Sequence, residues 1–354
     1  MRARILGRSG ITVSELCLGA MMFGAYGNVD HDECIAMTHR ALDAGVNFID
    51  TADVYSRGES EMILGKALKG RRDDVVLATK FSNPMSDEPN QRGGSRRWIM
   101  RACEASLRRL DTDYIDLYQM HRPDFRAEID ETLGALSDLV HQGKVRALGC
   151  STFPAEAIVE AQWSAQRRGT ERFVCEQPPY SIFARAVENA VLPTCERYGM
   201  GVIPWSPLNG GWLTGKYRRD AEIPAGSRLA RLAGSNPLYS TESPESRRKF
   251  DLVEQLTGVA DEAGVSLIHL ALAFVLAHPA VTSAIIGPRT MAQLEDQLDA
   301  PSVSLTDNIL DRIDSLLPPG TDVDPRDSYF QPPAIVHATL RRRRFNRAVL
   351  GTGI

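Results

Sequence analysis

Four ionisable side chains stand at the ends of successive apolar runs. Asp50 closes the run Val46-Asn47-Phe48-Ile49, and Tyr55 follows it in a polar loop. Lys80 ends Val75-Val76-Leu77-Ala78-Thr79, and His121 ends Tyr114-Ile115-Asp116-Leu117-Tyr118-Gln119-Met120. A phenol alone holds its proton to a pKa of about 10. A buried ammonium beside it favours the phenolate, so Lys80 is expected to lower the pKa of Tyr55. Asp50 next to Lys80 keeps that lysine charged and oriented, because an unpaired buried cation is costly. An imidazole can hydrogen-bond a carbonyl oxygen or the phenol and position both. Such a set suits reduction of a carbonyl by hydride. Singly, each residue has a plainer reading: Asp50 as a cap, Lys80 as a surface lysine, His121 as a satisfied core histidine. Together at strand ends they favour a site.

The elements that must position them alternate regularly. Residues 1–13 read as a hairpin turning at Gly7-Arg8-Ser9-Gly10, with Ile5 and Val13 as apolar anchors. Strands are expected at Glu15–Gly19, 46–50, 75–80, Tyr114–Gln119, Val145–Gly149, Arg172–Glu176, Gly201–Trp205 and Val281–Ile286. Between them the pattern predicts helices at Asp32–Ala44, Glu59–Lys69, Trp98–Leu110, Ala127–His141, Ala155–Arg168, Val187–Tyr198 and Leu267–His278. Strands spaced by helices, without an internal repeat, indicate an α/β fold: a (β/α)8 TIM barrel with a parallel sheet and an N-terminal β-hairpin. In that architecture chemistry is done at the C-terminal ends of the strands, where the four side chains lie. The expected division is a barrel over 1–317, with a Gly/Pro/Ser-rich lid inserted at about 206–245, and an irregular tail over 318–354. The tail carries Arg341-Arg342-Arg343-Arg344, a charge run read as solvated.

Composition narrows the classes. The 354 residues hold 41 basic and 45 acidic side chains, a net charge of −4. That near balance argues against nucleic acid or an anionic membrane as the main partner. The six cysteines are scattered without metal-ligand spacing, which reads as reduced core thiols in a cytoplasmic protein. Met1-Arg-Ala-Arg-Ile-Leu-Gly7 has too little apolar run for a signal peptide, and no stretch approaches a membrane span. His31-Asp32-Glu33-Cys34 reads as a helix start rather than a metal site, since adjacent helical residues point in different directions.

In order, spacing and context, Asp50, Tyr55, Lys80 and His121 resemble the catalytic tetrad of the aldo-keto reductases, and the resemblance runs over roughly 1–317. It implies a hairpin that plugs the barrel floor and NADP(H) as cofactor. Ser151 and Thr152 close strand five, and Gln177 closes strand six, where the family clamps the nicotinamide carboxamide. Thr152 replaces the family's usual asparagine and lacks its amide donor. Trp205-Ser206-Pro207-Leu208 resembles the family's aromatic-Ser-Pro-Leu element, which places Trp205 flat on the nicotinamide ring. Asn209-Gly210-Gly211 through Lys216 resembles the loop over the pyrophosphate, and Ser227-Arg228 a second phosphate contact. Gly287, Arg289, Gln293, Asp296 and Gln297 fall where the family binds the adenosine end, with Arg289 set to fork onto a 2′-phosphate. Asp296-Gln297 stands where relatives usually carry Glu-Asn. Gly19, ending strand one, completes the implied cofactor set.

Met22, Phe23, Phe81 and Phe125, in loops at the barrel top, are the expected walls for a small-molecule carbonyl substrate. Hydride would pass from nicotinamide C4 to the carbonyl carbon while Tyr55 protonates the oxygen. Two other readings stay open: a cofactor-binding regulatory or sensor subunit resembling potassium channel β subunits, and a barrel dehydratase or epimerase. Oligomeric state is not legible in the sequence.

Overall fold

Period-two alternation along each barrel strand explains both the core and the site. In the computed structural model, which describes residues 1–219, 221–232 and 239–340, β1 (Ala3–Ile5) and β2 (Thr12–Ser14) form an antiparallel hairpin. Eight parallel strands follow in ring order: β3 (Leu16–Gly19), β4 (Phe48–Asp50), β5 (Val76–Phe81), β6 (Ile115–Met120), β7 (Val145–Ser151), β8 (Phe173–Gln177), β9 (Gly201–Val202) and β10 (Ala284–Ile286), with β10 returning to pair with β3. The ring closes between β9 and the β10 segment. Val202 bridges Val281 in parallel, Thr282 N donates to Val202 O at 2.7 Å, and Ile285 N donates to Pro204 O at 2.9 Å.

Cys17, Phe48, Ala78, Leu117, Ala147, Cys175 and Ile285 from seven strands, with Ile203 just past β9, fill the barrel interior. Their neighbours on the strand, among them Leu18, Ile49, Leu77, Tyr118, Leu148, Val202 and Ile286, pack outward against the helices. Two residues beyond the inner layer, the same inward phase brings Gly19, Asp50, Lys80, Gln119, Gly149, Gln177, Trp205 and Gly287 to the top of the barrel. The polar layer is therefore the next ring above the apolar one. At Gly19 the adjacent strand comes so close that a Cβ would stand 2.6 Å from the Ile285 Cγ2 atom.

The floor is sealed by the hairpin, but with a different anchor from the expected one. Leu6 and Val13 are buried in the inner cluster, whereas Ile5 is exposed. Alternation again decides it: if Leu6 points up into the barrel, its neighbour Ile5 must point away.

Outside the strands run α1 (His31–Asp43), α2 (Glu59–Ala67), α3 (Arg96–Leu110), α4 (Ile129–His141), α5 (Ala155–Arg168) and α6 (Val191–Tyr198). After β9 come α7 (Arg228–Leu232), α8 (Pro244–Ala263) and α9 (Leu267–Ala277), and after β10 come α10 (Met291–Leu298) and α11 (Asp307–Leu316). Asp30 caps α1 through its carboxylate to the amides of Asp32 and Glu33, so His31 to Cys34 are a helix start. α8 fills the stretch between the expected lid and the helix expected from Leu267, to which the sequence pattern assigns no element. Among the described residues no single helix is long and apolar enough to cross a membrane, and all six cysteines are free and buried.

Beyond Pro318 the backbone is irregular yet packed on the barrel top. Val323 N donates to Phe183 O at 2.9 Å, and Asp327 accepts from Lys249 Nζ at 2.6 Å and from Asn209 Nδ2 at 3.1 Å. Arg341 to Arg344 lie outside the described residues, as do residue 220 and residues 233–238 within the expected lid.

Candidate active site

β4 and β5 are neighbours in the sheet, which puts Asp50 and Lys80 side by side. Lys80 Nζ donates to Asp50 Oδ1 at 2.5 Å, to the carbonyl of Thr51 at 2.8 Å and to Tyr55 Oη at 3.3 Å. The other Asp50 oxygen accepts from Gln119 Nε2 at 2.9 Å and Gln177 Nε2 at 3.0 Å. Every polar atom of this pair is therefore engaged, as a fully buried ion pair requires. Burial pushes the Lys80 ammonium towards losing its proton, but Asp50 and Tyr55 more than offset this, and its pKa lies above the usual lysine value.

Tyr55 begins a tight turn in which Ser56 and Arg57 hold positive φ angles of 47° and 55°. Ser56 fixes that strained turn by donating its hydroxyl to Phe23 O at 3.1 Å and accepting from Tyr26 N at 3.0 Å. The expectation that Lys80 would leave Tyr55 with a lowered pKa is corrected here. Burial raises the phenol's pKa by more than the charges of Lys80 and Arg122 lower it, so the net direction is upward. A protonated phenol is the form an acid catalyst must be in.

The His121 ring meets the Tyr55 ring edge-on, with centroids 5.7 Å apart. Burial first, then the positive charges of Lys80 and Arg122, depress its pKa far below the usual histidine value, so the imidazole is neutral. Asn83 Nδ2 lies 3.1 Å from His121 Nδ1. With the amide nitrogen as donor, Nδ1 accepts and Nε2 carries the ring proton.

Ser151, Thr152 and Gln177 meet at adjacent strand ends. Ser151 Oγ donates to Gln177 O at 2.9 Å, and Thr152 adopts a positive φ of 59°. Gln177 spends its amide nitrogen on Asp50, and among the described residues its Oε1 accepts no hydrogen bond. Trp205 lies half-buried with its Nε1 unpartnered, and Tyr329 packs edge-on against it at 4.6 Å between centroids. Ser206 accepts from Gly210 N at 3.1 Å, shaping the start of the following loop, while Leu208 packs against the main apolar cluster.

A second set of charges comes from the loops. Burial, then Arg289 and Arg228, depress the pKa of the Lys216 ammonium, and Arg231 is lowered by burial and the same two guanidiniums. Gly211, at φ 98°, makes room for this lysine: a Cβ there would be 3.2 Å from its Nζ. Arg289 donates to Gly226 O at 2.6 Å, and Arg228 contacts Met22 Sδ at 3.3 Å. Among the described residues none of these four cations has a carboxylate within ion-pair distance. Ser227 caps α7 by accepting from Ala230 N at 3.3 Å. Gln293 accepts from Arg289 N at 2.8 Å, Asp296 is exposed, and Gln297 is buried with its Oε1 unpartnered. Gly287 faces open space.

Burial separates the four expected substrate walls. Phe23 and Phe81 are fully buried in the main apolar cluster, Phe81 against Tyr118 at 4.9 Å, so neither offers surface to a ligand. Phe81 ends β5 in the phase that faces the helices, and Phe23 follows the short turn after β3 with its ring in the same cluster. Met22 is also buried, and Phe125 is exposed beside Phe330 at 6.1 Å. Sequence reading missed Gln119, Asn83 and Arg122. Gln119 was findable, since it shares the inward phase of β6 one step before the loop; Asn83 and Arg122 sit in loops with no periodic signal.

The family model for the aldo/keto reductase family matches residues 15–318. The chain belongs to the aldo/keto reductase family. Its class is therefore oxidoreductase. The uncharacterized oxidoreductase YrpG of Bacillus subtilis is 41% identical over 331 residues, 90% of this chain and 96% of that protein. A probable voltage-gated potassium channel subunit beta of Oryza sativa is 38% identical over 90% of this chain and 97% of its own length. Norsolorinic acid reductase stcV of Emericella nidulans is 33% identical over 88% of this chain and 80% of its own. This aldo/keto reductase thus has similar relatives named for catalysis and others named for channels.

Proposed function

We propose that this chain is an NADPH-dependent reductase that converts an aldehyde or ketone to an alcohol. The observation that carries the reading is the hydrogen-bonded line from Asp50 through Lys80 to Tyr55, with a neutral His121 beside the phenol. Tyr55 donates its proton to the carbonyl oxygen. Lys80, held by Asp50, stabilises the charge that the phenolate then carries. His121, with its proton on Nε2, hydrogen-bonds the same oxygen and aims it at Tyr55. When bound, the reduced nicotinamide supplies a hydride to the carbonyl carbon, which balances the reaction. In the oxidative direction the phenolate serves as the base.

The residues present fit such a cofactor. Four cations without a carboxylate partner among the described residues, Lys216, Arg228, Arg231 and Arg289, suit pyrophosphate and a 2′-phosphate. Gln297 keeps a buried carbonyl oxygen unpartnered near the α10 face, as an amino group on a base would require. Ser151 and the Oε1 of Gln177 suit the carboxamide, and Trp205 suits a ring stacked beside them. A small-molecule carbonyl as substrate and the cytoplasm as location complete the reading, the latter supported by six unpaired thiols.

The names of the channel-subunit relatives favour a second reading, a nicotinamide-binding sensor with little turnover. A panel of aldehydes and ketones, followed by loss of NADPH absorbance, separates the two. Turnover on any of them supports the reductase; tight NADPH binding with no turnover on the whole panel supports the sensor.

A further inference from the structure

Arg122 follows His121 directly, and its guanidinium is only partly used by the protein. Nη1 donates to the His121 carbonyl at 2.6 Å and reaches Ser151 Oγ at 3.5 Å. Among the described residues, Nε and Nη2 make no hydrogen bond, and no carboxylate lies within ion-pair distance. The Nε–Nη2 edge is the one that matches two oxygens of a carboxylate or phosphate. The group also lies 5.7 Å from the centre of the Trp205 ring, and its charge bears on both His121 and Tyr55. Burial depresses its pKa, against the pull of Tyr55, Tyr329 and then Glu176, the one carboxyl among the three, which sits on the outward phase of β8. That carboxyl is fully buried, with Oε2 unpartnered and its pKa pushed up to about 7, and it does not close an ion pair with Arg122. A half-buried cation with an open fork and no counter-ion is costly to keep unless a ligand completes it.

We propose that Arg122 anchors an oxyanion subsite next to the carbonyl position, so that preferred substrates carry a carboxylate or phosphate close to the carbonyl. The proposal rests on the carbonyl-reducing reading above. Two matched pairs test it and separate the two anions: 4-oxobutanoate against butanal, and glycolaldehyde phosphate against glycolaldehyde. For the wild-type protein, kcat/KM should favour the charged member of at least one pair by about tenfold or more, chiefly through KM. In Arg122→Met that ratio should collapse to about one or below, and Arg122→Lys should restore part of it. A wild-type ratio near one in both pairs overturns the proposal. So does an Arg122→Met variant that slows charged and neutral substrates equally, which would limit Arg122 to supporting His121 and Tyr55. If the wild type reduces none of the four, the carbonyl reading itself fails. Calorimetric titration of wild type and Arg122→Met with succinate and with inorganic phosphate then decides the subsite. Binding lost in the variant supports it; equal or absent binding overturns it.

Discussion

The barrel rim and the loops above it handle charge in opposite ways. At the rim, Lys80 and Asp50 neutralise one another, and Gln119, Gln177 and the Thr51 carbonyl take up their remaining polar atoms. In the loops, Lys216, Arg228, Arg231 and Arg289 crowd together: burial and then the charges of Arg289 and Arg228 lower the pKa values of Lys216 and Arg231, with no acid within ion-pair distance among the described residues to balance them. The Asp50–Lys80 pair is complete without a ligand; the loop cations are not. Groups that act on a bond must already be in place when substrate arrives, and a self-satisfied network provides that. Groups that hold an anion gain most when the anion itself completes the charge balance.

That contrast can be tested from both sides. The largest effect should come from Tyr55→Phe, which keeps the ring but removes the donated proton. Carbonyl turnover should fall by roughly 10²–10⁴-fold while NADPH affinity stays close to wild type. Single-turnover kinetics and cofactor titration check it, and a wild-type rate in the variant sinks the tetrad assignment. Lys80→Met strands Asp50 as an unpaired buried carboxylate, and should cost about 3–5 kcal/mol in chemical denaturation at neutral pH. A loss within error of zero would mean that the rim is not the closed network described.

Glu176 is the exception inside the barrel wall, a buried carboxyl with one oxygen unpartnered. Its pKa rises from the ordinary 4.5 to about 7. Because the folded value lies above the unfolded one, its contribution to stability is present below about pH 4.5 and is lost as pH rises through about 7. Glu176→Gln mimics the protonated form and should gain up to about 3 kcal/mol over wild type between pH 5 and pH 8. Denaturation curves at the two pH values check this; a difference independent of pH would rule out titration of that carboxyl. The smallest effect belongs to the loops. Arg289→Ala should weaken NADPH by about tenfold or more but NADH much less, with stability nearly unchanged and a smaller dependence on salt. Equal dissociation constants for the two cofactors in the wild-type protein would remove the 2′-phosphate reading.

Much of this was open to inspection in the linear sequence. Alternating strands and helices give the barrel, because a parallel strand needs a crossover and the period of apolar residues distinguishes the two elements. Strand ends then locate Asp50, Lys80 and His121, since barrel geometry gathers those ends on one rim. The hairpin was legible too, though Ile5 and Leu6 were exchanged as anchors, a one-residue error that reverses every face of a strand.

Other distinctions depend on contacts between residues far apart in the chain. Asp50 and Asp53 are three positions apart and both are buried, yet one is fully hydrogen-bonded and the other has neither oxygen paired. No local pattern separates them, because the partners of Asp50 come from β5, β6 and β8. The same holds for the Tyr55 proton. Sequence supplies the lysine that lowers its pKa, but only packing sets the burial that raises it further. Composition and periodicity determined which strand side chains reach the barrel top. The tertiary structure decided which of their charges are balanced within the protein and which, at Arg122 and in the loops, are left for a ligand, because that balance depends on distances between strands that no single strand encodes.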